Sequence, residues 1–144
     1  MNQSPEQQIK ELGEILGVNL TLDEKQQILL LLDNEHPVSF RLYNNRWCFY
    51  TMLCYIDKES DMSGVYEKYL SMNITEQELG TGNICLEKQS GVLLYAGSTA
   101  NHGCAQSLYQ RLDTFVQRAD EIRYRLSTDE TPDYDSFPKG STLV

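Results

Sequence analysis

The chain has 144 residues and a formal net charge of -9, from 12 Lys and Arg against 21 Asp and Glu. That length suits one domain with a core of its own. The acidity disfavours nucleic acid, whose phosphates call for clustered positive charge, and it disfavours anionic membrane surfaces.

The opening MNQSPEQQIKELGEIL has no basic start leading into an apolar run, which argues against a signal peptide. No apolar stretch approaches the ~20 residues that span a bilayer. Cys48, Cys54, Cys85 and Cys104 form no C-x-x-C pair, so a zinc framework is not expected and a reduced cytosol is the simplest compartment.

The first element in chain order is a helix over Pro5–Leu16. Ser4 can cap it, Pro5 suits its first turn, Gln7 completes a capping-box spacing and Gly17 marks its end. Ile9, Leu12 and Leu16 form an apolar stripe along it.

Three strands follow: QQILLLL from Gln26, VSFRLY from Val38 and WCFYTMLCYI from Trp47. Asn44 and Asn45 tolerate the positive φ of a type I′ hairpin, which pairs Tyr43 with Arg46, Leu42 with Trp47 and Phe40 with Phe49. The first connection reads as a loop over Asn34–Pro37, which pairs Leu31 with Phe40 and Leu29 with Leu42. On that register Leu29, Leu31, Val38, Phe40, Leu42, Trp47, Phe49 and Leu53 share the core face. The opposite face carries Ile28, Leu30, Leu32, Ser39, Arg41, Tyr43, Cys48, Tyr50, Met52, Cys54 and Ile56. A slip of one residue in that loop exchanges the two sets of the first strand.

A second helix is expected over Met62–Met72, with Val65, Tyr66, Tyr69 and Leu70 on its apolar face. GNICLEKQSGVLLYAGS reads as two further strands turning at Gln89-Ser90-Gly91. The last helix, Ala105–Leu126, carries Leu108, Leu112, Phe115, Val116, Ala119, Ile122 and Leu126 at helical spacing. Residues 127–144, with two prolines, four acidic residues and no apolar period, read as an acidic flexible tail beyond a domain of residues 1–126. The expected fold is therefore α+β in the order α-β-β-β-α-β-β-α, a twisted antiparallel sheet with helices packed on it.

No catalytic site stands out. His102 and Cys104 lie two apart, yet without an orienting third group they read as a loop entering the last helix. Gly80 and Gly82 have the wrong spacing for a phosphate loop, and Asp57, Glu59 and Asp61 lack the glycine and terminal Glu of a calcium loop. No metal or other cofactor is expected. What remains is a second sheet face that is apolar in part, and such a face either is covered or binds an extended polypeptide.

The order of elements, the acidity and the stretches IKELGEILGV, EKYLSMNI and ADEIRYRL resemble the class I type III secretion chaperones, the Tir-chaperone-like (CesT) family. The likeness covers Gln8 to Leu126, although Ile122 stands where an aromatic is expected. It implies a homodimeric bacterial cytosolic chaperone with no enzymatic activity. Such a protein holds the N-terminal segment of one or more secreted effectors in extended form, soluble and fit for secretion, and delivers it to the export apparatus and its ATPase. By match of element, Leu12, Leu16, Leu30, Leu32, Arg41, Tyr50 and Met52 would contact the client. Val65, Tyr66, Tyr69, Ile84 and Leu86 would form the dimer interface. The rival readings are a non-catalytic adaptor or regulator of the same fold that binds a folded partner, and a small hydrolase using Cys104 and His102.

Overall fold

A computed structural model describes residues 3–32, 36–55, 63–101 and 103–127. Its elements are α1 (Pro5–Leu16), β1 (Gln27–Leu32), β2 (His36–Tyr43), β3 (Arg46–Tyr55), α2 (Ser63–Leu79), β4 (Asn83–Glu87), β5 (Val92–Ala100) and α3 (Ala105–Ser127). All strand pairs are antiparallel, in the order β1-β2-β3-β5-β4. This is the α+β fold and element order expected from the sequence. Of the tail expected over 127–144, Ser127 is instead the last residue of α3, and the rest, with Ile56, Met62, the acidic cluster at 57–61 and His102, lies outside the described residues.

The local signals for α1 hold in detail. The Gln7 backbone N–H donates to the Ser4 hydroxyl at 3.2 Å. Gly17 ends the helix in the left-handed region at φ 74°, where a Cβ would be strained. The hairpin between β2 and β3 also forms as expected, with Asn44 and Asn45 at φ 50° and 58° and Phe40 opposite Phe49. By contrast, α2 runs well past Met72, to Leu79.

One face of the sheet packs on the helices. Trp47, Phe40, Phe49, Phe115 and Tyr95 form a continuous aromatic stack, with ring centroids 4.8 to 5.4 Å apart. The Trp47 indole N–H donates to the buried Gln8 side chain at 2.7 Å, which ties α1 to β3. The fully buried Glu76 of α2 accepts from Arg118 of α3 through Nε and Nη2 and from the Tyr95 hydroxyl. These bonds satisfy a charge that would otherwise be costly to bury, and they fix α2 against α3.

The first strand requires a correction. Ile28 lies opposite Phe40 and Leu30 opposite Val38, a register three residues from the expected one. An odd shift turns every side chain of β1 over. Leu30 is 3% exposed and belongs to the core, whereas Leu29 and Leu31 are 74% and 58% exposed. The cause is Pro37. It reads as part of a loop, yet β2 begins at His36 and Pro37 pairs with Leu31 inside the ladder. The Leu42 N–H donates to the Gln26 carbonyl. By the alternation of antiparallel pairs, the bonded partners of β1 and β2 are then 28 with 40 and 30 with 38, so no N–H is asked of residue 37 on that side.

Candidate functional site

The face of the sheet away from the helices carries Leu29 and Leu31 of β1, Ser39, Arg41 and Tyr43 of β2, and Arg46, Cys48, Tyr50 and Met52 of β3. No described helix packs across it. Leu29, Leu31 and Met52 are exposed large apolar side chains, and Arg41 stacks over Tyr43 at 4.9 Å from its centroid. Tyr50 is partly buried, which pushes its hydroxyl above the ordinary tyrosine range, with help from neighbouring Cys48.

The backbone of β1 adds a second feature. Asp23 closes the strand's start: its N–H donates to the Gln27 carbonyl, and its carboxylate accepts from the Gln27 N–H. Gln27 therefore faces away from β2, and by alternation so do the peptide groups of Leu29 and Leu31. Beyond them no strand follows among the described residues. Side chains and peptide groups at one place thus offer an apolar surface and an unpaired strand edge together. Beside this edge, Ile9 and Lys10 of α1 and residues 19–26 enclose a groove of about 580 Å³.

The residues expected to contact a client divide. Met52, Tyr50 and Arg41 are on the open face. Leu12 and Leu30 are buried in the core, so their placement on a surface is corrected, and Leu16 is half-buried against the same core. The side chain of Leu32 lies outside the described residues. Of the residues expected at a dimer interface, Tyr69 and Ile84 are buried within this chain, Val65 and Tyr66 are partly covered and Leu86 is exposed. The Tyr69 hydroxyl meets the Cys54 thiol at 2.8 Å, and burial pushes that tyrosine well above its ordinary range. Cys54 is accordingly turned to the helical side, not the open face. The register shift between Met52 and Cys54 of β3 permits the turn.

The sequence reading missed Leu29 and Leu31 as exposed residues, and it missed what finishes the far edge. There the Asn73 carboxamide accepts from the Ile84 N–H at 2.6 Å and donates to the Ile84 carbonyl at 3.1 Å. Among candidate chemical groups, Cys104 sits at the N-terminus of α3. Hydrogen bonds from the Ser107 hydroxyl and the backbone N–H groups of Ser107 and Gln106 lower its thiol pKa. No cluster of metal-ligating side chains occurs among the described residues, and no helix there is long and apolar enough to cross a membrane.

Several solved structures share this architecture. The ExsC–ExsE complex matches with a TM-score of 0.69 at 16% identity, over 88% of this chain and 92% of that one. The Yersinia pestis type III secretion chaperone SycH, in complex with a fragment of YscM2, matches at 0.61 and 16% identity, over 83% and 99%. YbjN from E. coli, proposed as a transcription regulator, matches at 0.61 and 14% identity, over 83% and 89%. Among curated protein sequences none matches the chain. The profile of the Tir chaperone protein (CesT) family matches residues 7–123, and the chain belongs to that family. It is a chaperone of the type III secretion class.

Proposed function

We propose that this protein captures an N-terminal segment of one or more secreted effectors in extended form on the open face and the β1 edge. It keeps the segment soluble in the bacterial cytosol until export, and it works by binding alone, without catalysis. The observation that carries this reading is the coincidence of exposed Leu29 and Leu31 side chains with outward-turned peptide groups on an edge strand. An added client strand would pair with those peptides and lay alternate apolar residues against the leucines and Met52. The expected test outcome is that a Leu29→Lys, Leu31→Lys variant keeps its circular dichroism and loses co-purification with an effector encoded beside its gene. Retention at the unmodified level would move the client elsewhere.

The protein also works as a homodimer in this reading. Helix α2 is apolar on opposite sides: Tyr69 and Met72 face the core, while Leu70 and Ile74 face outward with Leu86 of β4 exposed nearby. A helix apolar on two sides needs a second surface to cover it. Tyr66 stands one turn before Leu70 and extends the patch, whereas Val65 stands one turn before Tyr69 and packs on the core. Light scattering should give twice the chain mass, reverting to one on Leu70→Glu, Ile74→Glu substitution. The loaded dimer then presents its client to the export ATPase, a step read from family likeness. The likeness of fold to YbjN keeps a second reading in view, a non-catalytic adaptor or regulator that binds a folded partner. It differs in that its partner would bind without unfolding.

A further inference from the structure

The six arginines of the chain divide by the partners they meet. Arg118, Arg123 and Arg125 each meet a carboxylate, from Glu76, Asp120 and Glu121. Arg41, Arg46 and Arg111 meet none among the described residues. This is a notable imbalance in a chain whose net charge is -9.

Arg46 and Arg111 converge on one cleft of about 500 Å³. β4 begins at Asn83, opposite Ala96, so residues 97–100 of β5 have no strand on that side and the cleft opens over this free stretch. Arg111 reaches it from α3. Its Nη2 donates to the carbonyls of Thr81 at 2.6 Å and Ser98 at 3.2 Å. Its guanidinium lies over the Phe49 ring, 5.5 Å from the centroid, and its buried Nη1 has no hydrogen-bond partner. Gly97 makes room for it, since a Cβ there would stand 3.2 Å from Nη2 and 2.9 Å from the Phe115 ring. Arg46 enters from the other side and donates to the Ser98 hydroxyl at 3.0 Å. Glu76 also borders the cleft, but its carboxylate is already bonded to Arg118 and Tyr95. Two guanidinium charges with no carboxylate, one of them with a buried N–H left without an acceptor, favour an anion in the cleft.

The sheet register links this cleft to the apolar edge. Leu29 lies opposite Ser39, Ser39 opposite Tyr50, and Tyr50 opposite Ala96. That row runs from β1 across the open face to the cleft, where Tyr50 and Ala96 are part of the wall. Three strand spacings are roughly 14 Å, which an extended chain crosses in about four residues.

We propose that the cleft between Arg46 and Arg111 receives an acidic side chain of the bound client, about four residues from the apolar residues seated on Leu29 and Leu31. The inference rests on the open face being the client surface. It adds a rule of selection to it: client segments pair an apolar stretch with a carboxylate at a set spacing.

The test uses labelled synthetic peptides with a Leu-Ser-Leu anchor, a spacer of about four residues, and Asp-Asp, Asn-Asn or Lys-Lys. Each is made in both orders along the chain, and binding is read by fluorescence anisotropy. The Asp peptide, in one of its orders, should bind roughly threefold to tenfold more tightly than the Asn peptide. That preference should shrink in high salt, and it should vanish in Arg46→Gln while surviving in Arg46→Lys. The salt series needs only the unmodified chain, so it stands even where a variant folds poorly. Equal binding of the Asp and Asn peptides, or a preference untouched by salt and by Arg46→Gln, would overturn the cleft while leaving the open face as a client surface. Binding of none of the peptides would overturn both.

Discussion

At one edge of the sheet the carboxamide of Asn73 takes both peptide groups of Ile84, which leaves Leu86 as the one other residue of β4 whose peptide groups turn outward. At the other edge Asp23 closes β1 only at Gln27 and leaves Leu29 and Leu31 open in both backbone and side chain. Natural proteins protect edge strands because an open edge recruits any passing strand. The β4 edge thus keeps one outward-turned residue and the β1 edge two, Leu29 and Leu31, which favours recruitment at β1. The more guarded edge lies beside the outward face of α2, where the proposed dimer contact is made by side chains. The open edge is where peptide groups are offered.

The largest effect expected from breaking this contrast comes from adjacent residues of β1. Leu30→Glu buries an unpaired carboxylate in the aromatic core and should abolish folding, since such burial costs several kcal/mol against a stability of about 5–15 kcal/mol. Leu31→Glu should leave the far-ultraviolet circular dichroism unchanged. Equal collapse of both would mean that the two faces of β1 are both core.

Next in size is Glu76→Gln, which leaves the Arg118 guanidinium without its carboxylate. Loss of one partner from a buried pair costs about 3 kcal/mol or more, and Arg118 is partly exposed, so the lower end is expected in urea unfolding. Replacing both Glu76 and Arg118 by Met should recover much of that loss.

Asn73→Ala should cost about 1–2 kcal/mol for two hydrogen bonds and should speed hydrogen exchange at the Ile84 amide. It also frees the Ile84 peptide groups beside the outward-turned Leu86, so the variant should gain a concentration-dependent tendency to associate. Unchanged exchange at Ile84 would show that Asn73 does not guard that edge. The smallest stability effect belongs to Leu29→Lys, within about 0.5 kcal/mol, because an exposed side chain gives up little. Its effect on client capture should nonetheless be clear.

Local signals were legible where a short motif determines the geometry. Ser4, Pro5 and Gly17 bound α1, and Asn44-Asn45 set the β2–β3 register, because each depends on neighbours a few residues away. The β1–β2 register was not legible. Pro37 resembles a loop residue, and only the alternation of bonded pairs shows that a strand can hold it at that place. The full length of α2 was also hidden, since Asn73 and Thr75 weaken a helical reading. Asn73 earns its position by bonding to β4 and Glu76 by bonding to Arg118, and both are tertiary reasons. The open-face residues Arg41, Tyr50 and Met52 followed from the hairpin. Arg111 could not, since it reaches the cleft from a helix on the opposite side of the sheet.

The chain contains a single tryptophan, Trp47, which is buried, stacked on Phe40 and hydrogen-bonded to Gln8 of α1. Its indole is therefore a built-in optical gauge of one event, the seating of α1 on the sheet. Its emission should be blue-shifted in the native state and move to the red when that contact opens, whereas peptides bound on the far face of the sheet should leave it nearly constant. Unfolding and loading can thus be followed separately in one sample, with native fluorescence for the first and a label on the peptide for the second.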